Sequence, residues 1–290
     1  MDGLPFEFAT DGPGGPAGAI YNSGGLILTV CTVDGNIAGM GGTNSKHPLG
    51  VSPAGPAGTN GGIYNSGTLT IIASTLTRNN GGGAGGGVYN TGEATAVNSL
   101  FALNTAASSP DYFGSFSTQG HNLIGNNSGA FGFFVGNDSD IVGTPGAPVD
   151  PLIFPLAGNG GPTRTVALQS GSPALDAGDD SILGPPFNVE TDQRGEPREN
   201  GAHVDIGAYE TIVGTPPQLG GITIPSYQTF AFSFTNTPHA MFSVLTSTNP
   251  ALPVADWTVL GQPAESSPGV FQFTGLSQTN SQQFYQVRSP

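Results

Sequence analysis

The chain has 290 residues, of which only 9% are charged, with 20 Asp and Glu against 6 Lys and Arg. A net charge of -14 repels phosphate groups, so neither nucleic acid nor an anionic membrane is an expected partner. The single cysteine excludes an internal disulfide framework and a zinc site built from several thiolates. No apolar run approaches the roughly 18 residues that span a bilayer, so no transmembrane segment is predicted.

The start of the chain carries no signal peptide, because no basic segment followed by an apolar one is present. Residues 1–18 resemble the tail of a structural repeat and its loop, without a segment that would cover an exposed sheet edge. Either the protein is cytosolic or the chain is a fragment of an exported protein whose signal peptide lies upstream, and we expect the fragment.

Three segments of the chain align without gaps around Tyr21, Tyr64 and Tyr89, which are 43 and 25 residues apart. The asparagines that close the three segments repeat the same two spacings: Asn36, Asn79 and Asn104. A repeat of about 25 residues is the length of one coil of a β-solenoid. The extra residues of the first interval predict a Gly-, Pro- and Ala-rich loop at 37–60.

Each repeat predicts short strands separated by turns, because apolar and polar residues alternate in stretches such as 68–71. Stacked coils place equivalent residues about 4.8 Å apart, so equivalent asparagine side chains are expected to form hydrogen-bonded ladders. Two such ladders are predicted, one of Asn22, Asn65 and Asn90 and one of Asn36, Asn79 and Asn104. The corner Asn and Gly residues are expected to tolerate left-handed backbone conformations. We interpret the tyrosine row as structural, with a sugar-stacking platform as the alternative.

Further motifs follow the repeats in a defined order, at 62–70, 98–100, 120–125, 159–165, 171–178, 191–198 and 205–210. Together they cover about residues 15–210 and resemble the choice-of-anchor Q domain family of extracellular bacterial proteins. The resemblance implies a right-handed parallel β-helix, export and display at the cell surface. It implies no characterised activity.

The densest group of charges lies at 176–210 and has two interpretations. In the first, the region is a cap in which Arg194 and Arg198 pair with carboxylates such as Asp192 and Asp205. In the second, carboxylate oxygens bind calcium, although their spacing matches no EF-hand loop. The candidate calcium ligands are Asp176, Asp179, Asp192 and Asp205. We favour the cap. No cofactor is therefore expected, with calcium as the alternative.

The C-terminal part of the chain has a different pattern, in which aromatic residues alternate at 230–234 and several short strands follow. It predicts a small β-sandwich-like module, and it resembles a C-terminal module of exported Verrucomicrobia-type proteins. The predicted fold class is therefore all-β. The predicted domains are a parallel β-helix at 1–213 with a cap at about 150–213, a linker at 214–221 and the module at 222–290.

Two functions are compatible with these patterns. We favour a non-enzymatic scaffold, extracellular or on the cell surface, that acts as an adhesin or binds glycans. Its expected partner is carbohydrate or a cell-surface polymer, and the chain itself is expected to be a monomer. The alternative is a polysaccharide lyase or glycoside hydrolase of the pectate-lyase-like type.

The charge pattern of the repeats bears on this choice. Residues 19–104 contain only Asp34, Lys46, Arg78 and Glu93 as charged side chains, which is sparse for a catalytic cleft. His121 and His203 are the best placed histidines, and we interpret both as structural because neither belongs to a nucleophile motif.

Overall fold

The computed structural model describes residues 14–42, 46–47, 50–51, 58–134, 139–226, 229–276 and 282–289. The chain is all-β, with two short 3-10 helices at Asp180–Leu183 and Val254–Asp256. The strands of the repeat region follow one another in chain order: β1 (Ile20–Asn22), β2 (Gly25–Thr29), β3 (Thr32–Asp34), β4 (Lys46–His47), β5 (Gly50–Val51), β6 (Ile63–Asn65), β7 (Thr68–Ile72), β8 (Thr75–Thr77), β9 (Val88–Asn90), β10 (Glu93–Val97), β11 (Leu100–Ala102), β12 (Tyr112–Ser115), β13 (Ser117–Thr118), β14 (Leu123–Ile124), β15 (Ala130–Phe131) and β16 (Ile141–Val142).

These strands form three parallel sheets of four or five strands. The first sheet has the order β1-β6-β9-β12-β15, the second β2-β7-β10-β13, and the third β3-β8-β11-β14-β16. Each of the first four coils contributes one strand to each sheet, and the last coil contributes β15 to the first sheet and β16 to the third, which is consistent with a parallel β-helix. The register aligns Tyr21 with Tyr64 and Tyr64 with Tyr89, so neighbouring coils are related by the spacings that the repeat predicts. Among the described residues, no helix is long and apolar enough to cross a membrane.

The interior between the three sheets is filled by inward rows of aliphatic side chains, such as Ile63 and Val88 from the first sheet, which are fully buried. In the fourth coil the filling becomes aromatic, and Tyr112, Phe116 and Phe133 pack edge-to-face or tilted. Phe131 and Phe134, the aromatic residues nearest to Phe133 in the sequence, are exposed and do not join this core.

The corners between sheets depart from the prediction in one respect. The ladder asparagines do not have positive φ angles; the left-handed conformation falls on the residue before the closing asparagine, at Arg78 (φ 53°) and Leu103 (φ 61°). Glycine is required instead where coils touch at the first corner. A Cβ atom on Gly67 would lie 2.0 Å from the carbonyl oxygen of Gly24 in the preceding coil.

The loop predicted at 37–60 contains the two-stranded antiparallel hairpin β4–β5. The remainder of its centre, at 43–45, 48–49 and 52–57, lies outside the described residues, as does most of the predicted repeat tail at 1–18.

The segment at about 150–213, predicted to be a cap, lies along the side of the coils and is therefore named the covering segment. Ile153, Val166 and Ile206 pack on Leu100 and Leu123, which face outward from the third sheet. The contact is also polar, because the Ala208 N–H donates to the Thr75 hydroxyl (3.0 Å) and Arg78 donates to the Phe154 carbonyl (3.1 Å). The apolar part of the contact arises because the strands β11, β14 and β16 carry apolar residues on both faces, so their outer face has to be covered as well.

The C-terminal module consists of two antiparallel sheets, compatible with a β-sandwich. Its strands are β17 (Gly220–Ser226), β18 (Thr229–Thr235), β19 (Ser243–Ser247), β20 (Thr258–Gly261), β21 (Ala264–Ser267), β22 (Val270–Leu276) and β23 (Phe284–Arg288). The sheet orders are β17-β18-β22-β21 and β20-β19-β23. Phe234, Phe242 and Phe271 pack in the core of the module.

The predicted linker at 214–221 is partly structured, because β17 begins at Gly220 and the Gly214 N–H donates to the Ser289 hydroxyl (2.8 Å). Just before it, the Met241 N–H donates to the Ile212 carbonyl (2.9 Å). The module is therefore docked on the segment that covers the third sheet.

Candidate functional site

The structure places the first set of predicted ladder residues in one hydrogen-bonded row. The Asn22 amide donates to the Asn65 carboxamide oxygen (2.6 Å), and Asn65 donates in the same way to Asn90 (2.6 Å). The row ends where the Asn90 amide donates to the Ser115 backbone carbonyl (2.7 Å). These side chains are buried, so the row satisfies polar groups that would otherwise be costly inside the coil.

The second row has the same direction and a different end. Asn36 donates to Asn79 and Asn79 donates to Asn104, both at 2.9 Å. Asn104 then donates to the carboxylate of Asp111 (2.9 Å). A carboxylate suits this position because the last amide of the row needs an acceptor. No further acceptor follows in the row, so a group that accepts hydrogen bonds and donates none is sufficient. Burial raises the pKa of Asp111 to about 6, against the lowering effect of its hydrogen bonds from Asn104 and Asn126.

A third row lies at the corner between the second and third sheets, and the sequence interpretation missed it. Backbone N–H groups donate to side chains of the next coil, from Ser74 to the Ser99 hydroxyl (3.2 Å) and from Ser99 to Asn122 (3.0 Å). Asn122 in turn donates to the Asp140 carboxylate. Ser74 and Ser99 are separated by the repeat spacing and could have indicated this row. The equivalent residue of the next coil is Asn122 and not a serine, so the pattern was not recognised.

The tyrosine row faces outward from the first sheet. The rings of Tyr21, Tyr64, Tyr89 and Phe113 stack in succession, with centroid distances of 5.1, 5.4 and 4.5 Å and interplanar angles of at most 13°. The interior rings cover each other's faces, so the row presents ring edges to solvent. A sugar stacks on a ring face, and only the two end rings, Tyr21, which is 57% exposed, and the half-buried Phe113, have one face without a described ring against it. This geometry favours the structural interpretation over the sugar-stacking platform.

The four candidate calcium ligands are not brought together. Asp176 accepts the Ala202 N–H (2.8 Å), and Asp179 accepts the Ser181 N–H (2.9 Å) at the start of a 3-10 helix. Asp192 pairs with Arg194, and Asp205 accepts backbone N–H groups. Within the described ranges, no group of three or more His, Cys, Asp or Glu residues could hold a metal ion. The four predicted ligands therefore do not lie in one site: Asp176 and Asp179 accept from backbone turns, and Asp192 and Asp205 belong to a buried cluster with Arg194 and Arg198.

We expect the protein to melt at the same temperature with millimolar calcium and with chelator, because these carboxylates already have protein partners. Differential scanning calorimetry measures both midpoints. A midpoint several degrees higher in calcium would contradict this assignment and restore a metal site.

The predicted ion pairs of the covering segment are partly as expected. The Arg194 guanidinium pairs with Asp192 (2.8 Å), and it also lies 3.7 Å above the ring of Tyr209. Arg198 does not pair with the Asp205 carboxylate; its side-chain partner is Glu210 (3.4 Å). The Asp205 carboxylate instead accepts the N–H groups of Asp176 (2.8 Å) and Thr211 (2.7 Å). Of the four residues predicted to form ion pairs, Asp205 therefore has no ion-pair partner, and Glu210 takes the place beside Arg198.

This buried cluster contains three carboxylates and two guanidinium groups. Asp192, Arg198, Asp205 and Glu210 are each at most 4% exposed. Burial, together with the charge of Asp205, raises the pKa of Glu210 to about 9, and burial raises the pKa of Asp205 to about 6. A proton on Glu210 leaves two negative and two positive charges, so the cluster is neutral near pH 7.

Stability is therefore expected to fall as the pH rises from about 6 to about 8.5. Over this range folded Glu210 keeps its proton, whereas the unfolded side chain has lost it above its ordinary pKa of 4.5. The folded state binds the extra proton, so this group lowers the unfolding free energy by up to about 1.4 kcal/mol per pH unit. Urea unfolding should show a flatter pH profile for Glu210→Gln than for the wild type.

The matched control is Glu199→Gln in the same segment, where the side chain is exposed and the pH profile should stay that of the wild type. Parallel profiles for the wild type and Glu210→Gln would contradict the protonated state.

A cleft of about 550 Å³ lies between the covering segment and the C-terminal module. One wall is the turn at 158–160; the other comprises residues 239–242 and 262–271. The turn approaches closely: Gly160 has φ 89°, and a Cβ atom there would lie 2.7 Å from Nδ1 of His239. Sequence reasoning missed this site, because its two walls lie about eighty residues apart in the chain.

Carboxylates surround His239 in the cleft. Its backbone N–H lies 3.2 Å from both oxygens of Glu265, and its ring Nδ1 lies 3.6 Å from Glu196. Glu265 also accepts the Gly269 N–H (2.6 Å).

The two histidines singled out from sequence lie outside the cleft. Nδ1 of His121 is 2.9 Å from the Ala177 carbonyl, which joins a coil to the covering segment. His203 is exposed and contacts Asp180 (2.9 Å), and this hydrogen bond and the negative charge raise the pKa of His203.

No family model, curated protein or solved structure matches the chain.

Proposed function

We propose that the chain is a non-enzymatic scaffold of the choice-of-anchor Q type, exported by a bacterium and displayed outside the cell, where it binds carbohydrate. We infer that its coils form a right-handed parallel β-helix. In support, the connection between parallel strands of one sheet is right-handed in almost all proteins.

The observation that carries this proposal is the scarcity of charge on the open faces of the coils. The first and second sheets are not covered by the segment at 151–213 over most of their outer surface, and Glu93 is the single charged residue in their strands. Thr70, Thr95 and Ser117 form an outward row on the second sheet. A glycosidase needs two carboxylates within about 5–9 Å of each other, and these faces offer one.

In the third sheet the carboxylate of Asp34 pairs with Arg78 (2.6 Å). This Arg78 side chain also holds the covering segment through the Phe154 carbonyl. Asp34 and Arg78 thus neutralise each other, and Arg78 also attaches the covering segment, so this pair is engaged in structure.

One observation favours the alternative, a polysaccharide-active enzyme. Glu265 lines the cleft beside His239, and Glu196 lies 3.6 Å from the ring Nδ1 of His239, so two carboxylates flank one histidine of the cleft. The hydrogen bonds that Glu265 accepts from backbone N–H groups argue for a binding role, but a direct assay separates the two functions.

The test is affinity electrophoresis in gels that contain neutral or acidic plant, fungal and bacterial polysaccharides, followed by product analysis of the same mixtures. We expect at least one polysaccharide to retard the protein without new reducing ends or unsaturated products. Released oligosaccharides would show an enzyme, and an unretarded protein across the panel would remove carbohydrate binding from the proposal.

A further inference from the structure

The cleft between the covering segment and the C-terminal module has a rigid apolar floor. Tyr209 and Phe242 line it and are at most 3% exposed, so their positions are set by packing on both sides. Behind Tyr209, the guanidinium of Arg194 lies 3.7 Å from the ring centroid and is itself fixed by Asp192. A volume of about 550 Å³ lies within the range of small-molecule sites.

The rim of the cleft carries polar groups with unused hydrogen-bonding capacity. Asn159 donates to Thr165 through its amide, and no described residue donates to its carboxamide oxygen. The Gln262 side chain makes no hydrogen bond to any residue that the structure describes. Glu265 and His239 also line the cleft and add a carboxylate and an imidazole to its rim.

We propose that this cleft is the saccharide-binding site of the protein and that its ligand is a neutral sugar chain, an inference that rests on the carbohydrate binding proposed above. Hydroxyl groups both donate and accept hydrogen bonds, so they match a rim that mixes amides, a carboxylate and an imidazole. The apolar atoms that line the cleft, those of Ala240 and Met241 among them, suit the C–H groups of a sugar without requiring a free aromatic face.

The charges around the cleft select against anionic ligands. Glu196 and Glu265 flank His239, and the whole chain carries a net charge of -14. Arg194 is shielded from the cleft by the ring of Tyr209, so it offers no direct partner to a carboxylate or a sulfate. Uronic acids, sialic acids and phosphorylated sugars would therefore meet repulsion without a compensating ion pair.

The test uses the full chain and a panel of neutral hexasaccharides with gluco, manno, xylo and galacto configuration, alongside an oligogalacturonate. Isothermal titration calorimetry measures affinity for the wild type, Gln262→Ala and His239→Gly. Glycine is used at position 239 because the backbone there has φ 63°. The matched controls are Gln272→Ala, exposed in the same module, and His203→Ala, exposed in the covering segment.

We expect a neutral hexasaccharide to bind, with about tenfold weaker affinity for each cleft variant and unchanged affinity for both controls. Equal melting temperatures for variants and wild type show that the loss is local. If a saccharide binds but the cleft variants bind it as the wild type does, the cleft assignment is overturned while the proposed function stands. If the oligogalacturonate binds best, the neutral ligand is wrong. If no saccharide binds here and no polysaccharide retards the protein, both proposals fail.

Discussion

Replacing Arg198 with alanine is expected to destabilise the protein by about 3–5 kcal/mol, the usual cost of removing one partner from a buried charged cluster. The side chain is completely buried and donates to the carbonyls of Asp205 (3.2 Å) and Gly207 (2.6 Å) as well as lying against Glu210. The loss removes the donor of both carbonyls and leaves Glu210 with only the Asp205 N–H as a donor, in a space that water does not reach. Urea unfolding at pH 7 measures the change.

The control for this prediction is Arg164→Ala, an exposed arginine in the same segment, which should change stability by less than about 0.5 kcal/mol. Arg198→Lys keeps the positive charge but lacks the forked geometry that reaches both carbonyls, so it should recover only part of the stability. Equal effects of Arg198→Ala and Arg164→Ala would show that the cluster does not stabilise the covering segment.

Replacing Asn79 with aspartate is expected to cost about 2–4 kcal/mol at pH 7, because the change reverses a donor inside a directional row. The Asn79 amide donates to the Val33 carbonyl and to the carboxamide oxygen of Asn104, both at 2.9 Å. A carboxylate can donate to neither, and it would place its negative charge against both oxygens. Chemical unfolding of the variant and the wild type measures the difference.

The pH dependence provides the decisive readout, since a protonated aspartic acid regains one donor. The difference between Asn79→Asp and the wild type should therefore be smaller at pH 4 than at pH 7. Asn188→Asp is the matched control, because Asn188 is exposed and aspartate also tolerates its left-handed φ of 51°. A stable Asn79→Asp protein at pH 7 would refute the direction of the row.

Repetition explains which features could be predicted from the sequence. Parallel stacking places equivalent residues above one another, so the spacings of 43 and 25 residues specify the register of Tyr21, Tyr64 and Tyr89 and the members of both asparagine rows. The physical reason is local: a row forms wherever the same side chain recurs at the same point of successive coils. The resemblance to the choice-of-anchor Q family and the functional assignment stay predictions.

The tertiary structure decided the features that do not repeat. Asp111 and Asp140 end two of the rows, and a terminal acceptor occurs once, so no spacing identifies it. The sequence predicted that Arg198 pairs with a carboxylate. Only the path of the covering segment placed Glu210, and not Asp205, against it. The cleft depends on contacts between the 158–160 turn and His239, which the sequence separates by about eighty residues. The sequence by itself determined how each coil stacks on the next, because that contact is periodic. The folding of the covering segment and the module onto the coils, which is not periodic, decided where a ligand can bind.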